Sequence, residues 1–374
     1  MKKLYTLIAA ALLATGAAAQ NPSAYFMEGS TFRSQFNPAF APLRGYVNIP
    51  VLGGVDINVS GNLALDNVLY PRNGKLVTLL DGSVSANEAL GNLKANNLLG
   101  IGSRINVIGF GAFTKNHKNF WSFDLNLRVN EDTNLPRSLF EFIKLGNING
   151  FGASASAYAE AAFSYSFPLM NDRLYVGVRG KFLAGLARAN VNYDRFNVSL
   201  QKDRWYVDTQ GSIDITAGGA EVDVNPETGI FEPGDIDIKP TKPAGYGFAV
   251  DLGATYDILP NLQASLAVTD LGFISWSKKN SVAGVSTQTL EFSGVTVPDD
   301  GTDPTPDFDF EMLKFRPTDA KSASKMLRAS LNAGLEYEVW RHKIGIGLLY
   351  TARFWEYKTL HNITGSVNFH PVRW

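Results

Sequence analysis

The stretch that decides the fold is WSFDLNLRV, Trp121–Val129. Every odd-numbered residue in it is apolar, and every even-numbered residue is polar or charged. A period of two residues is typical of a β-strand with one apolar and one polar face. The same period recurs in five further segments and, more weakly, in a sixth: Tyr246–Tyr256, Leu327–Val339, Ala157–Phe167, Leu174–Leu186, Ile344–Phe354 and Ile363–Phe369.

Three features of these segments favour a transmembrane β-barrel. The segments reach the roughly 9–11 residues that a tilted strand needs to cross a bilayer, whereas strands of globular proteins average about 5–6. Their apolar faces are unbroken and often end in Trp, Tyr or Phe, like the aromatic girdles of membrane barrels. The connections alternate between tight turns and long loops, as in outer-membrane barrels. The alternative is a soluble, secreted β protein, because a sheet with one wet face shows the same period.

We therefore predict an all-β fold, a transmembrane antiparallel β-barrel with short periplasmic turns and long extracellular loops. A closed barrel leaves no backbone N–H or C=O unpaired in the hydrocarbon, where each unpaired group costs several kcal/mol. About ten strands are predicted, the first of them kinked at Gly53-Gly54: Gly45–Asn62, Ile101–Phe113, Asn119–Asn130, Ala153–Phe167, Arg173–Ala189, Gly245–Tyr256, Leu262–Ser277, Lys325–Trp340, Lys343–Tyr357 and Asn362–His370.

The last residues of the sequence predict a turn. Proline cannot donate to a ladder, so Pro371 interrupts the last strand. His370–Arg373 is therefore typical of another periplasmic turn. We expect the natural chain to continue beyond Trp374 with its final strands.

The beginning of the sequence predicts export. Lys2 and Lys3 form a basic start, and Leu4–Leu13 forms an apolar run too short to span a bilayer. Ala17-Ala18-Ala19 is a small-residue cleavage site of the kind that signal peptidase accepts. We predict a signal peptide that is cleaved before Gln20.

Three regions follow from these observations. The signal peptide covers residues 1–19, and residues 20–43 form an N-terminal plug or a periplasmic segment. Residues 44–374 form the barrel. The predicted location is the outer membrane of a Gram-negative bacterium, with outer-membrane lipid as the first expected partner.

The composition argues against nucleic-acid binding and catalysis. Lys and Arg together number 34 against 35 Asp and Glu, so there is no basic excess to hold phosphates. The absence of Cys excludes disulfides, thiolate zinc sites and a cysteine nucleophile, and four His leave little for a metal cluster. No nucleophile motif, phosphate-binding glycine loop or acid–base pair stands out. We predict no enzymatic activity, no cofactor and no metal site.

Ten charged side chains point inward if the alternation holds through the predicted strands. They can line a polar pore or steer a charged solute, as charged rings do in channels. They can also form a salt-bridge network that fills a closed barrel, because buried charges must be paired. The ten residues are Asp124, Arg128, Arg179, Lys181, Asp251, Arg328, Glu336, Glu338, Lys343 and Arg353.

Two short motifs carry a resemblance to a known family. Asn37-Pro38-Ala39, ahead of the first strand, resembles the plug segment of the long-chain fatty-acid transporter superfamily. Val268–Trp276, VTDLGFISW, looks like a strand-end motif of its Bacteroidota relatives. The whole layout is similar to an uncharacterised Bacteroidota outer-membrane β-barrel family related to that superfamily.

The resemblance implies a barrel of about fourteen strands with its N-terminal segment folded into the lumen. It assigns Asn37, Pro38 and Ala39 to the plug motif. In the transporters, hydrophobic ligands pass through the protein and leave sideways through a gap in the wall. This chain departs from them, since it supplies about ten strands and its inward faces are strongly polar.

Two functions are compatible with these predictions. The leading one is passage of a small or amphiphilic molecule across the outer membrane, with a small hydrophobic or amphiphilic ligand as an expected partner. The other is a non-transporting barrel whose extracellular loops dock or shuttle other envelope or secreted proteins. The choice between them rests on analogy, because one barrel fold hosts many functions.

Overall fold

A computed structural model describes residues 22–49, 54–63, 67, 69–72, 74–78, 81–91, 93–138, 140–141, 151–200, 205–238, 242–292, 314–340, 343–355 and 359–369. The predicted signal peptide, Gly53 of the predicted kink and the predicted turn at His370–Arg373 lie outside these residues. Within the described ranges, no helix is both long and apolar enough to span a bilayer.

Nineteen strands are described. They are β1 (Tyr46–Asn48), β2 (Val55–Gly61), β3 (Leu69–Arg72), β4 (Lys75–Thr78), β5 (Asn96–Phe113), β6 (Phe120–Pro136), β7 (Phe151–Leu169), β8 (Leu174–Leu200), β9 (Trp205–Ala217), β10 (Ala220–Val222), β11 (Ile236–Ile238), β12 (Gly245–Leu259), β13 (Leu262–Trp276), β14 (Ser281–Phe292), β15 (Arg316–Thr318), β16 (Ala323–Met326), β17 (Ser330–Trp340), β18 (Ile344–Phe354) and β19 (Thr359–Phe369). The remaining elements are the helix α1 (Ala86–Gly91) and 3₁₀ turns at Pro22–Phe26, Thr31–Gln35, Pro233–Asp235 and Lys278–Asn280.

Fifteen of these strands form one large antiparallel sheet whose main path is a meander, whereas β3 pairs with β4 and β10 with β11 in two separate small sheets. The order of the main path is β1-β5-β6-β7-β8-β12-β13-β17-β18-β19, with β2 paired to β5 and β16 paired to β13. Each of the ten predicted strands matches a strand of this path. The first predicted strand, Gly45–Asn62, contains both β1 and β2. Within the described residues no ladder joins β1 or β2 to β19, and the total of about fourteen strands stays a prediction.

The burial along the strands is the reverse of that in a soluble protein. In β12 the apolar residues Tyr246, Phe248 and Leu252 are exposed on the outside, whereas Ala249 and Asp251 are buried. The alternation follows from the strand geometry, because successive side chains point to opposite faces. Here it leaves the apolar face outward and the polar face inward.

Contacts across the interior show that the sheet is curled into a barrel. Arg128 of β6 lies 3.1 Å from Asp270 of β13, although three strands separate these two in the sheet. Arg353 of β18 likewise contacts Asn58 of β2 near the opposite edge. The predicted all-β, antiparallel barrel is thus confirmed, with the two-faced wall that membrane-spanning barrels have.

The long connections hold more structure than the sequence predicts. The fifth predicted strand ends at Ala189 and a long loop is expected after it, yet β8 continues to Leu200, where its second half pairs with β9. β9 then pairs with β14, and a hydrophobic cluster packs against this extension: Tyr193, Ile213, Phe231, Val282 and Phe315. A second cluster lies around α1: Tyr70, Val84, Ala89, Leu90, Leu93 and Phe140. A register shift between Tyr193 and Arg195 interrupts the alternation within β8, so the sequence pattern does not carry this strand through to Leu200.

Candidate functional site

Residues 22–40, the described segment ahead of β1, lie inside the barrel. We call Pro22–Phe40 the interior segment. The ring of Tyr25 packs edge-on against three phenylalanines, with centres 4.9, 5.8 and 5.3 Å away. The buried cluster consists of Tyr25, Phe26, Phe36 and Phe40 with Leu349 of the wall. The segment therefore has an aromatic core of its own, seated on β18.

The wall meets the interior segment at glycines. A Cβ built on Gly177 of β8 would overlap the backbone carbonyl of Pro38. A Cβ on Gly334 of β17 would overlap the hydroxyl of Tyr25. Both glycines occupy inward positions of their strands, so the wall presents bare backbone where the segment packs. The close fit depends on the missing side chains.

Asn37 fastens the middle of the interior segment to the wall. Its side chain is almost fully buried, and its Nδ2 donates to the carbonyl oxygen of Ala254 at 3.1 Å. Its Oδ1 accepts the backbone N–H of Ala39 at 2.9 Å. From the other side, Asn332 Nδ2 donates to the carbonyl of Phe36 at 3.0 Å. The Asn-Pro-Ala triplet thus combines a local turn with bonds to two wall strands.

Arg33 is the charged anchor of the segment. Its Nε donates to the carbonyl of Tyr25 at 2.7 Å, and its guanidinium forms an ion pair with Glu336 of β17. The guanidinium also lies 3.8 Å from the ring centre of Phe40, a cation–π geometry. Burial raises the pKa of the Tyr25 phenol to about 12, so this hydroxyl stays protonated and hydrogen-bonded with Ser265.

Two wall arginines hold the other side of the segment. Arg179 of β8 donates to Ser34 Oγ and to Gln35 Oε1, both at 3.1 Å. Arg104 of β5 also donates to Gln35 Oε1. The interior segment is therefore bonded to β5, β8, β12 and β17, on several sides of the barrel.

An ionic network crosses the interior next to the segment. Lys181 Nζ lies 2.7 Å from Asp251 and 2.6 Å from Asp270, and Arg128 pairs with Asp270 at 3.1 Å and with Glu160 at 3.0 Å. Asp270 has a left-handed φ of 57° at a bulge of β13, where its backbone N–H donates to Asp251 at 2.7 Å. A non-glycine residue in this conformation is strained, and such strain is often found at functional sites.

The structure places nine of the ten predicted inward charges in the wall or along the interior. Asp124, Arg179, Lys181, Asp251 and Arg353 are buried. Arg128, Arg328, Glu336 and Glu338 are partly buried. Lys343 lies in the turn before β18, where it is exposed with its Nζ 4.3 Å from the ring centre of Trp340 and borders a cavity at this end of the barrel.

The interior segment separates two cavities. The inner cavity, about 320 Å³, is bounded by Met27, Phe32 and Gln35 of the segment and by arginines of the wall. The rim cavity, about 580 Å³, lies on the other side of the segment, against Phe26 and Arg33. Residues of the segment line both cavities, so the segment lies between them.

The glycine fit leads to a first testable prediction. Gly177→Ala should unseat the interior segment, because the new Cβ would overlap backbone atoms of Pro38, which cannot rotate away. We expect trypsin to cleave after Arg33, now buried, at least several-fold faster than in the parent chain. Cleavage is followed on the refolded protein in detergent by mass spectrometry.

The matched control is Gly180→Ala on the same strand. A Cβ on Gly180 meets nothing within 4 Å. Its cleavage rate should equal that of the parent. Equal rates for both variants would show that the wall does not hold the segment through this contact.

The interior offers hydrogen-bond donors and acceptors rather than ligands for a metal. Among the described residues, no group of three or more His, Asp or Glu side chains is arranged to hold a metal ion. The chemistry available is recognition of polar and charged groups by arginine, lysine, carboxylate and amide side chains.

Comparison with known proteins gives one family and several distant structures. A family model described as "Family of unknown function (DUF5723)" matches residues 38–374. No curated protein matches the sequence. The COG4313 outer membrane channel from Pseudomonas putida F1 is 10% identical over 87% of this chain and 93% of that chain, with a TM-score of 0.24.

Two further structures are mutants of the TodX monoaromatic hydrocarbon channel. The deltaS2S3 mutant is 10% identical over 84% of this chain and 77% of its own, with a TM-score of 0.26. The deltaS2 mutant is 11% identical over 85% and 79%, also with a TM-score of 0.26. Scores this low assign neither an architecture nor a cargo.

Proposed function

The chain belongs to DUF5723, a family of unknown function, and for this member we propose passage of small or amphiphilic molecules through a barrel in the outer membrane. The interior segment acts as a plug, with the Asn-Pro-Ala triplet as its anchor. Export by a signal peptide at residues 1–19 is part of the proposal, and N-terminal sequencing of the mature protein should begin at Gln20.

The outer face supports the membrane placement. Phe248 is 62% exposed, Leu266 56% and Ile363 75%. In water each Å² of such apolar surface costs about 25 cal/mol. Monomeric soluble proteins rarely expose apolar patches larger than a few hundred Å². Lipid tails would cover the apolar outer face without that cost. The buried charges lie on the opposite, inner face of the wall.

The plug between two cavities is the observation that carries the proposal. The interior segment has the inner cavity on one side and the rim cavity on the other, so it occupies only part of the length of the lumen. Besides its packing on β18 and on the wall glycines, it is held by hydrogen bonds and one ion pair, which can exchange with water as the segment moves. The arrangement suits a gated path better than a solid core.

The polar interior restricts the cargo. Charged side chains from several strands face the lumen, so a continuous apolar tunnel for acyl chains or hydrocarbons finds no support here. The monoaromatic hydrocarbons of the TodX channels are therefore not carried over to this chain. Kinship with the long-chain fatty-acid transporters stays a prediction.

Liposome swelling tests the proposal. Liposomes that carry the refolded chain should swell in isosmotic arabinose faster than empty liposomes. Deletion of Gln20–Leu43 should raise the swelling rate several-fold, because it removes the segment that separates the two cavities. Liposomes with heat-unfolded protein are the control for leakage. An impermeable barrel both with and without the segment would overturn the proposal.

One observation favours a second candidate function. The long connections contain two packed clusters, around α1 and on the β9–β14 extension, and an ordered surface of this kind can dock other proteins. A barrel that docks or shuttles envelope proteins should yield specific partners when intact cells are crosslinked and the tagged chain is recovered. If no specific protein partner were recovered, this second function would be contradicted.

A further inference from the structure

The inner cavity has an excess of positive charge. Four arginines and two aspartates line it: Arg104, Arg128, Arg328, Arg353, Asp56 and Asp270. The carboxylate of Asp270 is already paired with Lys181 and Arg128. Arg328 is paired with Asp132 at 2.7 Å, and Arg128 also with Glu160 at 3.0 Å. Among the described residues, Arg104 and Arg353 are therefore the cavity arginines without an ion pair, against the single lining carboxylate of Asp56.

Arg353 is the least compensated of these arginines. Its side chain is 8% exposed, and among the described residues no carboxylate forms an ion pair with it. Its guanidinium has two long contacts to neutral groups, 3.5 Å to Asn58 Oδ1 and 3.4 Å to Ser60 Oγ. A buried charge whose hydrogen bonds are long and made to neutral groups is unfavourable, so an anion bound beside Arg353 would stabilise it.

Two further observations point to the same ligand class. Arg104 and Arg128 stand directly opposite each other on β5 and β6, and like charges in this position repel. Arg128 is paired with Asp270 and Glu160, whereas Arg104 has no ion pair among the described residues. In the described part of the chain, the buried Nε of Arg104 and the indole N–H of Trp355 have no hydrogen-bond partner. Both residues line the cavity. These unpaired groups are donors, which an anionic oxygen would satisfy.

We infer that the inner cavity binds the acidic group of an organic solute, a carboxylate, sulfonate or phosphate, through Arg353, Arg104 and Trp355. This inference rests on the proposed function and deepens it, because it gives the transported molecule a negative charge. The arginine fork matches two oxygens of such a group, and buried charge-assisted bonds of this kind are strong.

Calorimetric titration of the refolded full chain in a non-ionic detergent tests the inference. Benzenesulfonate is the probe, and benzyl alcohol is its uncharged counterpart of similar size. We expect benzenesulfonate to bind and benzyl alcohol to bind at least tenfold more weakly. Arg353→Gln should weaken benzenesulfonate binding by about ten- to a hundredfold, because it removes a charged hydrogen-bond donor. Arg353→Lys should restore part of the affinity.

The matched control is Arg188→Gln. Arg188 is as buried as Arg353 but has its own partner, Asp214 at 3.3 Å, and does not line the inner cavity. It should leave benzenesulfonate binding unchanged. Equal losses in both variants, or equal affinity for the two probes, would overturn the inference. Sulfate that binds as tightly as benzenesulfonate would overturn the assignment to an organic solute.

The two proposals fail in different ways. Swelling in arabinose without selective binding of benzenesulfonate would contradict the proposed anion site but not the proposed channel. Selective binding of benzenesulfonate without swelling would contradict the proposed channel but not the proposed anion site.

Discussion

Lys181→Met is expected to lower the free energy of unfolding by about 3 kcal/mol. The side chain of Lys181 is 1% exposed and lies between Asp251 and Asp270, at 2.7 and 2.6 Å. Its removal leaves two buried carboxylates without their shared cation. Breaking a buried pair in this way costs about 3–5 kcal/mol. We expect a loss at the lower end of this range, because each carboxylate keeps one cation nearby. Arg128 still pairs with Asp270, and Arg179 lies 3.6 Å from Asp251.

Denaturant unfolding of the chain in detergent measures this effect. Lys118→Met is the control, because Lys118 pairs with Asp172 between two exposed turns, where ion pairs contribute little. It should not change the unfolding midpoint measurably. A second substitution, Asp251→Asn, should recover part of the loss in Lys181→Met by removing one orphaned charge. A Lys181→Met chain as stable as its parent would show that the interior is wet enough to solvate both carboxylates.

The sequence predicts the wall well because alternation is a local property of a strand. Arg179, Lys181 and Asp251 could be placed inward from their neighbours alone, and the structure puts them in one network. Glu160 was missed, although it occupies an inward position of β7 and the same rule would have found it. The ten strands of the meander follow from the same period, since each carries its own two faces.

Features that depend on distant partners could not be predicted in this way. Asp270 reaches the interior through a bulge, and a single extra residue changes the parity of everything beyond it. The ion pair of Arg33 with Glu336 joins residues that are remote in sequence, so no local pattern predicts it. The sequence contains one signal that would have predicted the contact between wall and interior segment. Glycine at an inward position of a membrane strand indicates that another part of the chain packs closely against it.

Leu252→Arg should destabilise the barrel by about 2–4 kcal/mol if the outer face lies in lipid. Leu252 is in the middle of β12, points outward and is 49% exposed. Its neighbours across the two ladders are Val178 and Val268. An arginine there would sit near the midplane of the bilayer, where its charge is solvated least. On a wet surface the same substitution would change stability by less than about 0.5 kcal/mol.

Two controls separate depth in the membrane from a general effect of arginine. Leu259→Arg places the charge at the end of the same strand, where the expected cost is about 0–1 kcal/mol. Leu76→Arg, on β4 outside the main sheet and 68% exposed, should be neutral. Guanidinium unfolding of the chain in phospholipid vesicles measures all three. Because lipid solvates charge less with depth, the cost must fall from Leu252 to Leu259. Equal, small costs at both positions would mean that water covers the outer face, and the membrane placement would be wrong.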